Sequence, residues 1–399
     1  MKSNYEPLGK HIRLVDYRNS EEVTSTVLGI SIDKEFMPSV ANVIGTDLSR
    51  YKLISKGLFA CNPMHVGRDE RLPIALYEKD SPAIVSPAYF MFEIIDRDVL
   101  NEEYLMMWFR RPEFDRECWF MTDGSVRGGI TWDDLCRIKL PVPSYARQCE
   151  IVESYRAITD RIALKRAEND NLAKTIKAVF KSWFLDFDAF DGVELVQSQY
   201  GLIPNGWHYE LLGNLCDCVT KGTTPTTLGK DFTDTGINFI KGESINDDHS
   251  FNKTLFAHID DETDELLKRS RIYVNDIVFT IAGTLGKFAL VDSSVIPANT
   301  NQAVAIIRTS KIMPAMLYSY FIGEWQVEFY KRNTQQAVQA NLSLGTIKDL
   351  PILLPDSKGQ DHYMQLVTPL MVGMQNNFSE IERLYELQNQ LLARLSSSR

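Results

Sequence analysis

Cysteine is scarce in this chain and irregularly placed. The six cysteines are Cys61, Cys118, Cys136, Cys149, Cys216 and Cys218. Only Cys216 and Cys218 are close-set, and one C-x-C without a second pair does not make a structural zinc site. Both alternate with polar neighbours, so thiols on one face of a strand are expected. The six histidines, His11, His65, His208, His249, His258 and His362, form no spaced ligand pair, and each reads as a surface or loop residue. There is no G-x-S-x-G and no G-x-x-x-x-G-K-[ST]. Gly283-Thr284-Leu285-Gly286-Lys287 lacks the phosphate-loop spacing and reads as a strand-turn-strand. No apolar run reaches the roughly 18 residues of a membrane span, and the opening MKSNYEPLGK has no apolar signal stretch. A cytoplasmic protein without membrane contact is expected.

Positive charge is also short. The net charge is -10, with 43 Lys and Arg against 53 Asp and Glu. Residues 1–143 hold 18 basic and 22 acidic side chains (-4), and residues 207–356 hold 13 and 18 (-5). Any surface for a polyanion must therefore be a local patch.

What the chain does have is a repeat. Ile151, Tyr155, Ile158, Ile162, Lys165, Asn169, Leu172, Ile176, Val179 and Trp183 follow one another at alternating spacings of four and three, a heptad seam. Adding 212 gives Tyr363, Val367, Leu370, Met374, Asn377, Ile381, Leu384, Gln388, Leu391 and Leu395, a second seam in the same register. The offset persists upstream: Leu135, Ile138, Leu140, Val142 and Pro143 fall on Ile347, Leu350, Ile352, Leu354 and Pro355, while Tyr104, Leu105, Trp108 and Phe109 fall on Met316, Leu317, Tyr320 and Phe321. The chain is a globular unit and a long helix, then both again.

Each helix of about 40 residues would span some 60 Å at 1.5 Å per residue. Two copies in one chain can pair antiparallel, through Ile158, Ile162, Leu172, Ile176 and Trp183 on one side and Leu370, Met374, Leu384 and Leu391 on the other. Such a rod would hold the globular domains a fixed distance apart. The globular parts read as β-rich: Ile272–Thr280, Phe288–Val291, Ala303–Arg308, Ile352–Leu354, Leu58–Ala60, Ile74–Leu76 and Tyr89–Ile95 are short runs bounded by turn residues. Asn101–Arg110 and Pro314–Tyr330 read as helices, and Asp188–Trp207 as a loop-like connector. The expected class is α+β, with domains at 1–143 and 207–356, long helices at 144–187 and 357–399, and a connector at 188–206.

Two catalytic motifs are rejected on chemistry. Asn62-Pro63-Met64-His65 begins like the N-P-P-[YF] loop that clamps a flipped adenine, but Met64 and His65 replace the second proline and the aromatic ring. A metal-dependent nuclease needs carboxylates and a lysine converging on a strand end, and Asp260–Glu265 reads instead as a solvated helix start. No catalytic or metal-binding residue is assigned.

Several segments resemble the specificity subunit of type I restriction-modification systems. They are Val179-Phe180-Lys181-Ser182-Trp183-Phe184-Leu185-Asp186-Phe187, Tyr200-Gly201-Leu202-Ile203-Pro204-Asn205-Gly206-Trp207, Lys221-Gly222-Thr223-Thr224-Pro225, Ile237–Gly242, Asn275–Thr280 and Gly283–Lys287. The first domain matches more loosely, through Lys56–Ala60 and Val66-Gly67-Arg68. The resemblance implies two target-recognition domains that read a bipartite duplex site, two docked modification subunits that methylate adenine with S-adenosylmethionine, and restriction subunits that join for cleavage. It implies no catalysis and no cofactor in this chain.

Polar loop residues are the groups that meet base edges and phosphates. The candidates are Arg68, Ser125 and Arg127 in the first domain. In the second they are Lys221, Thr223, Thr224, Lys241, Lys287, Asn299, Asn301, Gln302, Gln336 and Gln339. Arg127 falls on Gln339 under the 212 offset, suiting guanine in one half-site and adenine in the other. The alternatives are a coiled-coil adaptor that binds only protein, and a restriction or modification subunit with an unrecognised active site.

Overall fold

The computed structural model describes residues 5–39, 45–64, 66–122, 128–190, 192–328 and 342–395. The chain forms two compact units. One comprises Met1–Ile162 with Glu382–Arg399, the other Ala163–Ile381.

The first unit is built on two four-stranded sheets. In one, the strands run in the order Ile12–Leu14, Phe90–Ile94, Phe59–Cys61, Ile74–Leu76, every pair antiparallel. In the other the order is Phe36–Pro38, Val27–Ile30, Ala83–Val85, Lys52–Ile54, with the central pair parallel. Tyr5–Pro7 pairs with Lys139–Pro141. Phe59 and Phe92 stack at 5.1 Å with Phe109 edge-on, and the helix Glu102–Phe109 packs its buried side chains on this core. Asn101 starts that helix by accepting from the N–H groups of Glu103 and Tyr104. Leu392 and Leu395, at the end of the second long helix, join the same core beside Val152 and Tyr155.

The second unit repeats this plan. Its four-stranded sheet has the order Cys216–Lys221, Val304–Thr309, Ile277–Thr280, Phe288–Leu290, again all antiparallel. Its other sheet has Ala257–Ile259, Ile237–Ile240 and Ala298–Thr300, the last pair parallel. The fourth strand of that sheet survives only as a bridge from Ile272 to Ala298. His208–Leu211 pairs with Pro351–Leu354, as Tyr5–Pro7 does with Lys139–Pro141.

The long helices are Tyr145–Phe184 and Ser357–Arg394. The second continues through an exposed interior proline, Pro369. Both begin with the same device at the 212 offset: Gln148 Nε2 donates to Pro143 O and Gln360 Nε2 to Pro355 O, each at 2.9 Å. The helices pair antiparallel. In the second unit Lys165 meets Asn377, and Asn169 meets Asn377 and the carbonyl of Met374. In the first unit Gln388 Nε2 donates to Thr159 Oγ1 at 3.1 Å. Ile158, Ile162, Ile176, Trp183 and Met374 are buried, and Leu172, Leu370, Leu384 and Leu391 are half-buried. Trp183 lies in an aromatic cluster with Phe190, His362 and Tyr363.

Some expectations change. The strand expected at Ile272–Thr280 begins only at Ile277, because Asp276 turns its carboxylate back onto the N–H of Tyr273 and Asn275 takes a positive φ of 71°. The connector contains a hairpin, Leu195–Ser198 with Gly201–Pro204. Asp260 caps the helix Asp261–Leu266 as anticipated, but Asp264 is buried rather than solvated, taking bonds from Arg271 and Asn299. His249 is not a plain loop residue: its ring stacks on Phe288 at 4.0 Å. Cys216 and Cys218 are both half-buried beside exposed Asp217, and burial pushes the Cys216 thiol up to about 12. Gly283–Lys287 is a hairpin turn, with both glycines at positive φ.

Candidate nucleic-acid interface

The polar candidates of the second unit gather at the joint between its two sheets. Strand Cys216–Lys221 ends at exposed Lys221, for which no ion pair is found among the described residues. Gly222 follows, its N–H bonded to Asn301 O at 3.0 Å. A Cβ at Gly222 would lie 1.7 Å from Thr300 O, so only glycine lets the two segments lie so close. Thr224 then donates from Oγ1 to Gln302 Oε1 at 2.6 Å. Thr223 and Asn301 are half-buried and Gln302 is exposed. Asn301 closes its own turn by accepting from Ala303 N.

The other two candidate lysines of this unit, Lys287 and Lys241, are partnered. Lys287, at the end of the 283–287 turn, is 2.9 Å from Asp247. Lys241 lies over the Phe232 ring at 4.8 Å and 3.8 Å from Glu243. Both pairs can open toward a phosphate, since Asp247 is 89% and Glu243 65% exposed.

Asn299 leaves the candidate set. It is 0% exposed, its Nδ2 donates to Asp264 and to Leu267 O, and its Oδ1 accepts from Ser270. A side chain so enclosed meets no base. Its role is to stiffen the strand that carries Asn301 and Gln302.

In the first unit Arg68 is exposed on the short helix Val66–Asp69 and chelates its neighbour Asp69 at 2.7 and 2.9 Å. Ser125, Arg127, Gln336 and Gln339 lie outside the described residues. The flanks of their segments are described and are anchored alike. Ile130 N donates to Pro63 O at 3.1 Å, and Leu342 N, 212 residues later, to Ile281 O at 3.0 Å. Pro63, in Asn62-Pro63-Met64, therefore anchors the backbone at Ile130. Among the described residues no group of three or more His, Cys, Asp or Glu side chains is placed to hold a metal ion. No described helix is long and apolar enough to cross a membrane.

Residues 204–372 match the family model of the type I restriction modification DNA specificity domain. Over 308 residues the chain is 23% identical to the type I restriction enzyme MjaIX specificity subunit of Methanocaldococcus jannaschii, covering 76% of this chain and 70% of that one. It is 22% identical over 454 residues to the HindI specificity subunit of Haemophilus influenzae, covering 96% and 95%. The chain is thus similar to type I restriction-modification specificity subunits over nearly its whole length, and its residues 204–372 match their DNA specificity domain. The fold agrees: the S subunit of the type I system from M. genitalium aligns over 99% of this chain and 96% of its own, at a TM-score of 0.50 and 14% identity.

Sequence reasoning missed the buried charged pairs that hold each unit in shape. Arg308 grips Asp276 through two bonds of 2.7 and 2.6 Å and lies over the Tyr273 ring. Lys34 is buried against Asp115 at 2.7 Å and donates to Phe109 O. No local pattern marks these pairs, because their partners are 32 and 81 residues apart.

Proposed function

We propose that this chain selects the DNA sites on which partner enzymes act, reading a bipartite duplex target with one recognition domain per half-site. The observation that carries this is the duplicated topology. The same sheet orders recur in both halves and each half leads into a long helix, while in sequence Arg127 falls on Gln339 under the 212 offset. A protein that reads two unequal half-sites needs this combination of shared frame and different contacts.

Catalysis belongs to the partners in this reading. Two modification subunits supply adenine methylation with S-adenosylmethionine, restriction subunits join for cleavage, and the complex works in the cytoplasm. The net charge of -10 fits a subunit whose partners complete the positive surface around the duplex. The domain limits 1–143 and 207–356, the helices 144–187 and 357–399 and the connector 188–206 are the working division of the recognition and docking parts. Arg68, Ser125, Arg127, Lys221, Thr223, Thr224, Lys241, Lys287, Asn301, Gln302, Gln336 and Gln339 are the candidate DNA contacts.

The test is to express the chain with its modification subunit and map methylated adenines genome-wide. One bipartite motif, absent when either protein is omitted, is the expected result. Methylation by the purified chain alone would assign it catalysis, and a complex that binds no duplex selectively would make it a protein-only adaptor.

A further inference from the structure

We infer that Gln302 reads a base edge with its amide N–H group, that Thr224 sets this polarity, and that Gly222 makes the arrangement possible. The inference rests on the reading of the chain as a specificity subunit.

Gln302 stands on an unusually constrained base. The strand before it, Ala298–Thr300, is buried throughout. Its polar side chains are satisfied internally: Asn299 by Asp264, Leu267 and Ser270, and Thr300 by Ile240 O at 2.7 Å. The turn that follows is closed by Asn301, and Gly222 N binds the carbonyl of Asn301. The segment 221–224 is thus pressed against 300–302 with no room for a side chain at Gly222.

Thr224 is fixed from its other side. Its carbonyl accepts from both the N–H and the hydroxyl of Thr227 at the start of the turn Pro225–Leu228. Its own hydroxyl proton then goes to Gln302 Oε1. A glutamine on an exposed turn ordinarily samples many rotamers, and ordering it on binding costs free energy. Here the hydrogen bond orders it beforehand, as a reading group requires.

The bond also selects what is read. With Oε1 occupied by a donor, the carboxamide turns its N–H pair outward and needs an acceptor opposite. In the major groove guanine offers N7 and O6, adenine N7 and thymine O4, whereas cytosine offers only its amino donor. Gln302 therefore excludes cytosine at one position on the strand it faces.

The experiment uses the full chain with its modification subunit and S-adenosylmethionine, and compares methylation motifs of wild type, Gln302→Ala, Thr224→Val and Thr224→Ser. Gln302→Ala is expected to admit cytosine at one position of one half-site, with discrimination there falling about 5- to 150-fold. Thr224→Val, which keeps the shape and loses the hydroxyl, is expected to relax the same position, and Thr224→Ser to restore it. An unchanged motif in Gln302→Ala and Thr224→Val overturns the inference, as does a uniform loss of methylation with the motif intact. If the wild-type complex itself gives no bipartite motif, it is the reading as a specificity subunit that fails.

Discussion

Lys165 and Asn377 stand 212 residues apart and touch, Nζ donating to Oδ1 at 2.9 Å. That separation is the repeat offset, so equivalent positions of the two copies meet across the helix pair. Asn377 also donates to Asn169 Oδ1 at 2.8 Å, and Lys165 lies 2.9 Å from Glu168 and 3.5 Å from Glu380. Asn169 and Asn377 are the two buried amides of the seam, which also carries half-buried Lys165 and Gln388; polar residues at such positions fix register at some cost in stability. Asn377→Leu leaves Asn169 without its amide donor and should destabilise the chain by about 1–3 kcal/mol. Asn169→Leu with Asn377→Leu removes both buried amides and should recover most of that loss. Urea unfolding followed by tryptophan fluorescence measures both, and a neutral single variant would remove the polar pair from the account.

The helix pair was legible because its signal is redundant. No seam position expected in either helix is exposed, and one offset aligns both copies. The surroundings of the candidate site residues were not legible in the same way. Asn299 and Asn301 look alike in the polar run Asn299-Thr300-Asn301-Gln302, yet one is buried in a strand and the other ends it. Only the long-range partners Asp264 and Ser270 separate them, and no local pattern encodes those. The hairpin at Leu195–Ser198 and Gly201–Pro204 was hidden for a similar reason: its strands are short and crowded by turn residues that read as a loop.

The Arg308–Asp276 pair should respond unequally to loss of its two members. Asp276 is 1% exposed and Arg308 30%. Arg308→Ala strands a buried carboxylate and should cost about 3–5 kcal/mol. Asp276→Asn leaves an arginine that can turn to solvent and keeps an acceptor for Tyr273 N, so about 1–3 kcal/mol is expected. Urea midpoints rank the two, and the reverse order would contradict this burial argument.

His249 gives the second unit an acid sensitivity. Burial over Phe288 holds its pKa below the usual histidine value, outweighing the opposite pull of Asp248 and Asp247. The unfolded chain takes up the proton near pH 6.5, about the ordinary value, while the folded ring stays neutral to lower pH. The stabilisation is therefore fully present above the unfolded pKa and shrinks as pH falls toward the folded one. His249→Phe keeps a ring for stacking and removes the titration. Stability measured at about pH 7.5 and about pH 5.5 should fall less in this variant than in wild type. Equal losses would place the acid sensitivity elsewhere.

Lys221 and Gln302 share one surface but should fail differently. Lys221 is exposed at a strand end, with no ion pair found among the described residues, so its ammonium is available to a phosphate. A phosphate contact releases a counterion and carries no sequence information. Lys221→Ala in the assembled complex should therefore weaken cognate and noncognate duplexes by the same factor. The slope of log affinity against log salt should fall in magnitude by about 1. The free chain, at a net charge of -10, should bind both duplexes weakly, and the modification subunit should tighten binding by orders of magnitude. Fluorescence anisotropy over a salt series tests all three statements. If Lys221→Ala narrows the gap between cognate and noncognate duplexes while leaving the salt slope unchanged, Lys221 reads a base instead.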